Sequence, residues 1–174
     1  MGTNVDVEPP PSLLQRVLIG RRPKRTLVRI AVLVAVCFVV FRFMLVPIRV
    51  EGRSMLPTYR DHGVNLVNRL AYVFHEPRRG DVVAVRTHAG EHILYMKRIV
   101  GLPGETVAFH DGYLFVNGQP LDEPYLKLRG NWEHEPIKDG PDEYYVVGDN
   151  REMAFEDHYQ GRFERGRLVG KVLL

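Results

Sequence analysis

The chain has 174 residues, 45% of them apolar, so its length suits one folded domain with an additional segment. The formal net charge is +3, but residues 1–50 carry 8 basic and 2 acidic residues, whereas residues 51–174 carry 16 basic and 19 acidic ones. A protein that binds nucleic acid normally has its basic surface on the folded body, and here the larger part is mildly acidic. These numbers argue against nucleic acid as a partner.

Cysteine and histidine usage limits the disulfide and metal chemistry. Cys37 is the single cysteine, so an intramolecular disulfide and a multi-cysteine metal site are both excluded. His88 and His92 are four residues apart, but Gly90 lies between them in a strand-like context, which predicts a hairpin loop instead of a metal-binding helix face. We expect no metal and no other cofactor.

The N-terminal part divides into a basic tail, residues 1–26, and an apolar segment, residues 27–48, that is predicted to cross a membrane as one helix. Arg29 and Arg42 bound its uninterrupted centre, so both side chains must extend toward the lipid headgroups if the segment spans the bilayer. Pro47 is expected to end the helix.

Three interpretations compete for the apolar segment. A cleaved signal peptide would need a small-x-small site after Phe41, and there is none. A buried core helix would tolerate its arginines poorly. An uncleaved signal anchor fits best, and the basic cluster before it predicts a cytoplasmic N-terminus with residues 49–174 outside.

Short apolar or alternating runs follow residue 48, separated by Gly, Pro, Asn and Asp. They lie at residues 81–86, 92–96, 106–109, 113–116, 144–147 and 168–172. Asp111-Gly112 and Asn117-Gly118 are hairpin-type turn signals, and a helical turn or two is expected near residues 66–74. The pattern predicts a mostly β, compact antiparallel domain, a sandwich or a partly open barrel, over residues 49–174.

Serine is rare in this chain and occurs only at Ser12, in the tail, and at Ser54. Ser54 follows Gly52 and precedes Pro57, so its hydroxyl is expected on a constrained loop, as a nucleophile requires. A turn residue or helix cap is the alternative role.

A serine nucleophile needs a base, and two kinds are open. His62, His75 and His158 leave a Ser-His-Asp arrangement available, although no Gly-x-Ser-x-Gly elbow is present. Lys97 is the one lysine outside the tail that follows a strongly apolar run. As a base near neutrality it needs a pKa roughly 2–3 below the usual value of about 10.4, which burial can supply. The alternative is a lysine that reaches solvent from a strand end.

Five segments resemble the conserved boxes of type I bacterial signal peptidases. Gly52-x-Ser54-Met55-Leu56-Pro57-Thr58 is similar to the serine box, and residues 95–105 are similar to the lysine box, with Glu105 where aspartate is usual. Residues 79–83, 117–125 and 148–151 resemble the other boxes. The boxes occur in the family's order and cover residues 48–174.

The resemblance implies a membrane-bound serine endopeptidase of the bacterial cytoplasmic (inner) membrane. Its substrates would be exported preproteins whose signal peptides carry small residues at positions −1 and −3. Ser54 would attack the scissile carbonyl and Lys97 would act as general base. The backbone N–H of Ser54, supported by Gly52, would stabilise the oxyanion. The lipid bilayer and the secretion machinery are further candidate partners.

The resemblance also implies a scaffold and a substrate cleft. Arg98 and Arg151 are expected to brace the site through ion pairs, and Met55 to be an apolar wedge near the membrane surface. Strands at residues 48–51 and 93–96 are expected to pair with an extended substrate. The scaffold residues are Met55, Pro57, Arg98, Gly101, Pro103, Gly104, Asp149, Asn150 and Arg151. The substrate-binding residues are Ile48, Val50, Ile93 and Tyr95.

The last box departs from the family pattern. Ala154 stands where the family usually has a serine that helps to orient the lysine amine, and Glu156 with His158 replaces the usual Asp–Arg pair. Loss of one orienting hydrogen bond costs about 1 kcal/mol, and up to about 3 kcal/mol if a buried group loses its partner. Slower catalysis is therefore expected.

Three other functions stay open at this point. One is a specialised Ser-Lys peptidase that processes a single substrate, and another is a weakened homologue that binds signal peptides without efficient cleavage. Retention of both Ser54 and Lys97 argues against a pure binding protein. The third, a self-cleaving Ser-Lys repressor, is disfavoured because the chain carries an apolar anchor and lacks a DNA-binding segment.

Overall fold

The computed structural model describes residues 23–86 and 94–173. The chain divides into two compact units, one up to Arg42 and the other Phe43–Leu174. The first unit contains helix α1, Pro23–Val39, which continues as a π-helical turn, Val40–Met44. The segment Lys24–Met44 is long and apolar enough to cross a membrane, and none of its most apolar window is buried.

The second unit is built from eleven strands in the described residues. They are β1 Leu45–Arg49, β2 Val64–Asn68, β3 Val82–Arg86, β4 Leu94–Gly101, β5 Thr106–His110, β6 Tyr113–Val116, β7 Gln119–Pro120, β8 His134–Lys138, β9 Glu143–Val147, β10 Gly161–Glu164 and β11 Leu168–Leu173. Two single-turn 3₁₀ helices are Phe155–Asp157 and Arg165–Arg167.

The strands form two sheets. The larger has the order β1-β2-β11-β3-β4-β9-β10, and the smaller has the order β7-β6-β5-β8. Every pairing between these strands is antiparallel. The prediction of a mostly β, antiparallel domain behind one N-terminal apolar helix is therefore confirmed.

Pro47 lies within β1 and does not end the helix, which stops at Met44. This differs from our expectation, and the position of β1 explains it. β1 is an edge strand that pairs only with β2, and an edge strand tolerates a residue that has no N–H to donate.

The two hairpin turns form as the sequence predicts. Asp111, Gly112, Asn117 and Gly118 all have φ between +47° and +76°. A two-residue turn with both φ values positive matches the right-handed twist of the flanking strands, and Asn-Gly and Asp-Gly adopt it readily. These turns connect β5 to β6 and β6 to β7.

The helical turn that we expected near residues 66–74 does not form over residues 66–68. Residues 66–68 belong to β2, because Val67 pairs with Val46 on one side and Val172 on the other. Long-range pairing thus overrides a weak local helical pattern. Strands β8 and β10 were not predicted, since their sequences lack a clear alternation of apolar residues. His88, His92 and Ile93 lie outside the described residues.

The larger sheet is covered on both faces near its centre. In β3, Val82 and Ala84 face one apolar cluster, and Val83 and Val85 face another. All four are buried, which explains why β3 reads as a continuous apolar run. β4 lies beside β3 and shares this burial, so a polar side chain on β4 is removed from water.

Gly101, at the end of β4, is required by close packing. A Cβ atom there would lie 2.6 Å from Asp139 Oδ2 and 2.7 Å from both Tyr145 Cβ and Val107 Cγ2. We expect Gly101→Ala to lower the free energy of unfolding by about 1–3 kcal/mol, because overpacking displaces backbone and side chains. Denaturant unfolding of the full chain in detergent micelles measures this.

Gly166→Ala is the matched control, since a Cβ atom at Gly166 would meet nothing within 4 Å. Its expected effect is within about 0.5 kcal/mol. Equal stability of the two variants would contradict the packing explanation for Gly101.

Candidate active site

Ser54 lies in the loop between β1 and β2, in a turn that starts at Gly52. Gly52 has a φ of 107°, which only glycine adopts readily, and its N–H donates to Asp61 Oδ1 at 2.9 Å. Because this N–H is occupied, Gly52 shapes the loop and is not an oxyanion donor. The N–H of Ser54 has no acceptor within the described part of the chain, so it is the available donor on this side.

Met55 anchors the loop in the core. Its side chain is only 1% exposed and packs in an apolar cluster with Tyr59 and Met96. Met55 is thus an apolar residue of the core, and its expected place near the membrane surface stays a prediction. Pro57 follows a cis peptide bond in the same loop.

The loop after β9 holds the Ser54 loop by hydrogen bonds. Asn150 donates its backbone N–H to Ser54 O at 2.9 Å and its side-chain amide to Arg53 O at 3.1 Å. Two consecutive carbonyl groups are thus fixed by one residue. This bonding limits the freedom of the Ser54 backbone.

Lys97 enters the site from β4. Its Nζ lies 2.7 Å from Ser54 Oγ, and its side chain is 2% exposed. Removal from water disfavours the ammonium and lowers the pKa of Lys97 to about 8, and the Asp149 carboxylate opposes this shift. An ammonium donates in this hydrogen bond, whereas a neutral amine accepts the hydroxyl hydrogen over the same distance.

Arg98, the next residue on β4, forms a buried ion pair with Asp149. Its Nε donates to Oδ1 at 2.8 Å and its Nη2 to Oδ2 at 2.6 Å, and Thr58 Oγ1 donates to the same Oδ2 at 2.6 Å. The guanidinium also stacks over the Tyr125 ring at 3.9 Å. These contacts join β4, the Ser54 loop and the loop after β9.

Arg151, in the loop after β9, forms a second buried ion pair, with Glu123. It donates through Nε to Gly148 O and through Nη2 to Glu123 Oε1, both at 2.7 Å. Tyr125 OH donates to the same carboxylate oxygen at 2.7 Å. Arg98 and Arg151 therefore make the ion pairs that we expected of them, with partners on other segments.

Gly101 is the last residue of β4, and Pro103 and Gly104 lie in the turn from β4 to β5. Gly104 has a φ of 79°, and its N–H donates to Gly140 O at 3.0 Å. These residues shape the far end of β4, whereas the pair of Ser54 and Lys97 is formed at its middle.

A groove of about 760 Å³ runs beside the Ser54 loop. It is lined by both β1 and the start of β4, including Ile48 and Tyr95. Val50 does not line it, because its side chain turns into the apolar core. Val50 lies just after β1, where the chain turns toward the Ser54 loop. For this reason its side chain does not face the groove, as a substrate-binding residue would. Ile93 lies outside the described residues.

The altered last box adopts an unexpected arrangement. Ala154 and Glu156 are exposed, whereas His158 is buried and its Nε2 lies 2.7 Å from Asn150 O. No ion pair between Glu156 and His158 forms among the described residues. The ring instead packs edge-on against Trp132, with centroids 4.6 Å apart.

Sequence reasoning missed three polar side chains of this site and the surroundings of a fourth. Thr58, Glu123 and Tyr125 stand inside segments that resemble conserved boxes, so their positions were a signal that we did not use. His158 was considered as a base and as a partner of Glu156, but the sequence did not indicate its contacts with Asn150 and Trp132. None of the described residues form a cluster of three or more His, Cys, Asp or Glu that could hold a metal ion.

The pKa of Lys97 has a consequence for stability. The pKa of Lys97 is about 8 in the folded chain, whereas a lysine exposed to water has a pKa of 10.5. The unfolded chain therefore binds more protons between these pH values, and the free energy of unfolding rises across this window. We expect a rise of about 3 kcal/mol from pH 8 to pH 10.5.

Denaturant unfolding over this pH range measures the rise, and Lys97→Met is the control. The variant retains a buried chain of similar length but has no titrating amine. The difference between the two profiles isolates Lys97 from the tyrosines that titrate nearby. Parallel profiles would contradict the buried, depressed amine.

Known proteins resemble this chain over nearly its whole described length. The family model of the signal peptidases, peptidase S26, matches residues 24–174. Signal peptidase I of Leptolyngbya laminosa is 33% identical over 134 residues, which are 72% of this chain and 65% of the relative. A probable signal peptidase I-2 of Synechocystis is 34% identical over 130 residues, 72% of this chain and 60% of the relative.

Signal peptidase IB of Staphylococcus aureus is 32% identical over 166 residues, covering 84% of this chain and 85% of the relative. The match thus spans less than two thirds of the length of the first two relatives and most of the third. The family model extends from the apolar helix through both sheets and includes Ser54 and Lys97. The chain belongs to the signal peptidase family, peptidase S26.

Proposed function

We propose that the chain is a membrane-bound serine endopeptidase that cleaves signal peptides from exported preproteins, with Ser54 as nucleophile and Lys97 as general base. One observation carries the proposal: Lys97 Nζ lies 2.7 Å from Ser54 Oγ in a site whose burial lowers the pKa of Lys97 to about 8. A base with this pKa is partly neutral near pH 7 and can accept the hydroxyl proton.

The steps follow from this geometry. The neutral Lys97 amine takes the hydroxyl proton while Ser54 Oγ bonds to the scissile carbonyl carbon, and the carbonyl oxygen becomes an oxyanion near the Ser54 N–H. The Lys97 ammonium then protonates the leaving nitrogen as the C–N bond breaks. In the second half Lys97 takes a proton from water, the hydroxide attacks the acyl ester, and the same proton returns to Ser54 Oγ.

The groove suits an extended peptide. β1 is an edge strand, and residues 94–97 of β4 pair with β3 on one side but not with β9 on the other. Unpaired backbone groups on both strands can bond to a substrate chain that adds as a strand. Alternate residues of an extended chain point the same way, so positions −1 and −3 face one wall of the groove. We infer small side chains at both positions from the family's pattern.

The membrane location rests on the N-terminal helix. Lys24–Met44 has the length and hydropathy of a single span. The basic residues at 21–25 favour an N-terminus in the cytoplasm of a bacterium and a β unit outside the inner membrane. We propose this orientation together with the lipid bilayer and signal peptides as partners.

The dyad is tested by paired substitutions in membranes that contain a preprotein with an Ala-x-Ala cleavage site. We expect Ser54→Ala and Lys97→Ala each to lower the cleavage rate at least about a thousandfold, because each removes a reacting group. Gel separation of precursor and mature protein measures the rate.

The chain supplies matched controls for both substitutions. Ser12→Ala changes the only other serine, and Lys127→Ala changes an exposed lysine of the β unit. Both variants should cleave at the wild-type rate. Cleavage by Ser54→Ala or Lys97→Ala at a rate close to that of the wild type would refute the dyad. A wild-type chain that cleaves only one of many preproteins would point to the single-substrate peptidase.

The cleavage rate should depend on pH through Lys97. The active form is the neutral amine, so kcat/KM should rise with pH and reach a plateau above a midpoint near 8, the pKa of Lys97. At pH 7 about a tenth of the amine is neutral, so the plateau is about tenfold higher than the rate at pH 7. A rate that falls between pH 7 and 9 in a stable protein would contradict this assignment.

A further inference from the structure

His158 is a buried histidine beside the proposed dyad that takes no part in the steps above. It is 6% exposed, and its ring is held between Trp132 and the loop after β9. Its Nε2 lies 2.7 Å from Asn150 O, and a carbonyl oxygen can only accept a hydrogen bond. Nε2 therefore carries the hydrogen, and Nδ1 presents a lone pair.

That lone pair has no hydrogen-bond partner among the described residues, although it is buried. Buried polar atoms are nearly always satisfied, so an unpartnered acceptor beside a reactive site calls for a ligand or a water. The positive charge of Lys97 acts on the His158 ring. Burial lowers the pKa of His158 most, and the charge of Lys97 is the second largest cause.

The backbone brings His158 close to Ser54. Both residues pack against the Cα of Gly148. A Cβ atom at this position would contact Ser54 O, and it would lie 2.7 Å from Cε1 and 3.0 Å from Nδ1 of His158. Asn150 connects the same two groups, because its N–H donates to Ser54 O and its carbonyl accepts from His158. Only glycine at 148 permits this approach.

Lys97 lacks an orienting partner of the expected kind. A neutral amine must aim its lone pair at the Ser54 hydroxyl, so its N–H groups need acceptors that fix its rotation. Among the described residues, Lys97 Nζ has one hydrogen-bond partner, Ser54 Oγ. Ala154 has no hydroxyl, whereas the family pattern has a serine at that position.

We propose that His158 is a positioning residue whose Nδ1 accepts, through one bridging water, a hydrogen bond from the Lys97 amine. The inference rests on the proposed Ser54–Lys97 dyad. Ser54 O is near enough to share the water, and a water with two or three polar partners is stable in such a site. His158 thus supplies the support that Ala154 cannot.

The charges around the ring keep it in the required form. Burial, and after it the positive charges of Lys97 and Arg151, lower the pKa of His158 to about 4, whereas the Asn150 carbonyl and Asp157 oppose this shift. The ring is therefore neutral at every pH at which Lys97 titrates. It remains an acceptor and does not itself become the base.

The test compares two substitutions that both remove the Nε2 donor to Asn150. His158→Phe also removes the acceptor, whereas His158→Asn places an amide oxygen near the position of Nδ1. We expect His158→Phe to lower the plateau of kcat/KM about tenfold, the effect of one hydrogen bond of about 1.4 kcal/mol. It should also move the midpoint of the pH profile below that of the wild type, because an acceptor stabilises the ammonium.

His158→Asn should restore both the plateau, to within about threefold, and the midpoint. In the background of Ala154→Ser the cost of His158→Phe should shrink, because the new hydroxyl supplies a second orienting partner. Equal losses in His158→Phe and His158→Asn, an unmoved midpoint and an unchanged cost beside Ala154→Ser would together show a purely structural role and overturn the inference.

A second measurement does not depend on cleavage or on the folding of the His158 variants. In the wild-type chain in micelles, the ¹⁵N chemical shift of His158 Nδ1 should change as Lys97 loses its proton near pH 8, and Lys97→Met should abolish this change. A flat shift in the wild type would overturn the inference. Failure of the dyad itself is recognised separately, by continued cleavage in Lys97→Ala.

Discussion

The proposed site depends on the Lys97 amine, which is removed from water and forms no ion pair with a carboxylate of the described residues. A free carboxylate beside Lys97 would stabilise the ammonium and make it useless as a base near neutrality. Asp149 is close enough to raise the pKa of Lys97, but Arg98 binds both of its oxygens and Thr58 binds one of them. Burial therefore remains the dominant influence.

The fold serves this constraint through β4. Burial of both faces of β3 and β4 removes the Lys97 side chain from solvent, while its tip reaches the Ser54 loop. Asn150 and Met55 both hold that loop, the first by hydrogen bonds and the second by core packing. Among the described strands the first half of β4 pairs with β3 alone, so Lys97 and an open sheet edge lie on the same strand. In the proposed function this arrangement would bring the base close to the substrate.

Local patterns predicted much of this fold. The runs at 81–86, 106–109, 113–116, 144–147 and 168–172 all fall on observed strands within one residue, and both hairpin turns have the expected positive φ values. Strand β2 was missed, because its identity depends on pairing with β1 and β11, which lie far away in the sequence. The same holds for Pro47, whose place in a strand depends on the edge position of β1.

The sequence by itself pointed to the two side chains of the proposed dyad. Only two serines exist, Lys97 follows an apolar run, and conserved-type boxes surround both residues. The tertiary structure decided how these residues are supported: Val50 and Met55 face the core, Gly52 donates to Asp61, and His158 comes to lie beside the dyad. The reason is physical. Burial and hydrogen bonding depend on which segments meet in space, and neither a residue's type nor its neighbours in the chain contain that information.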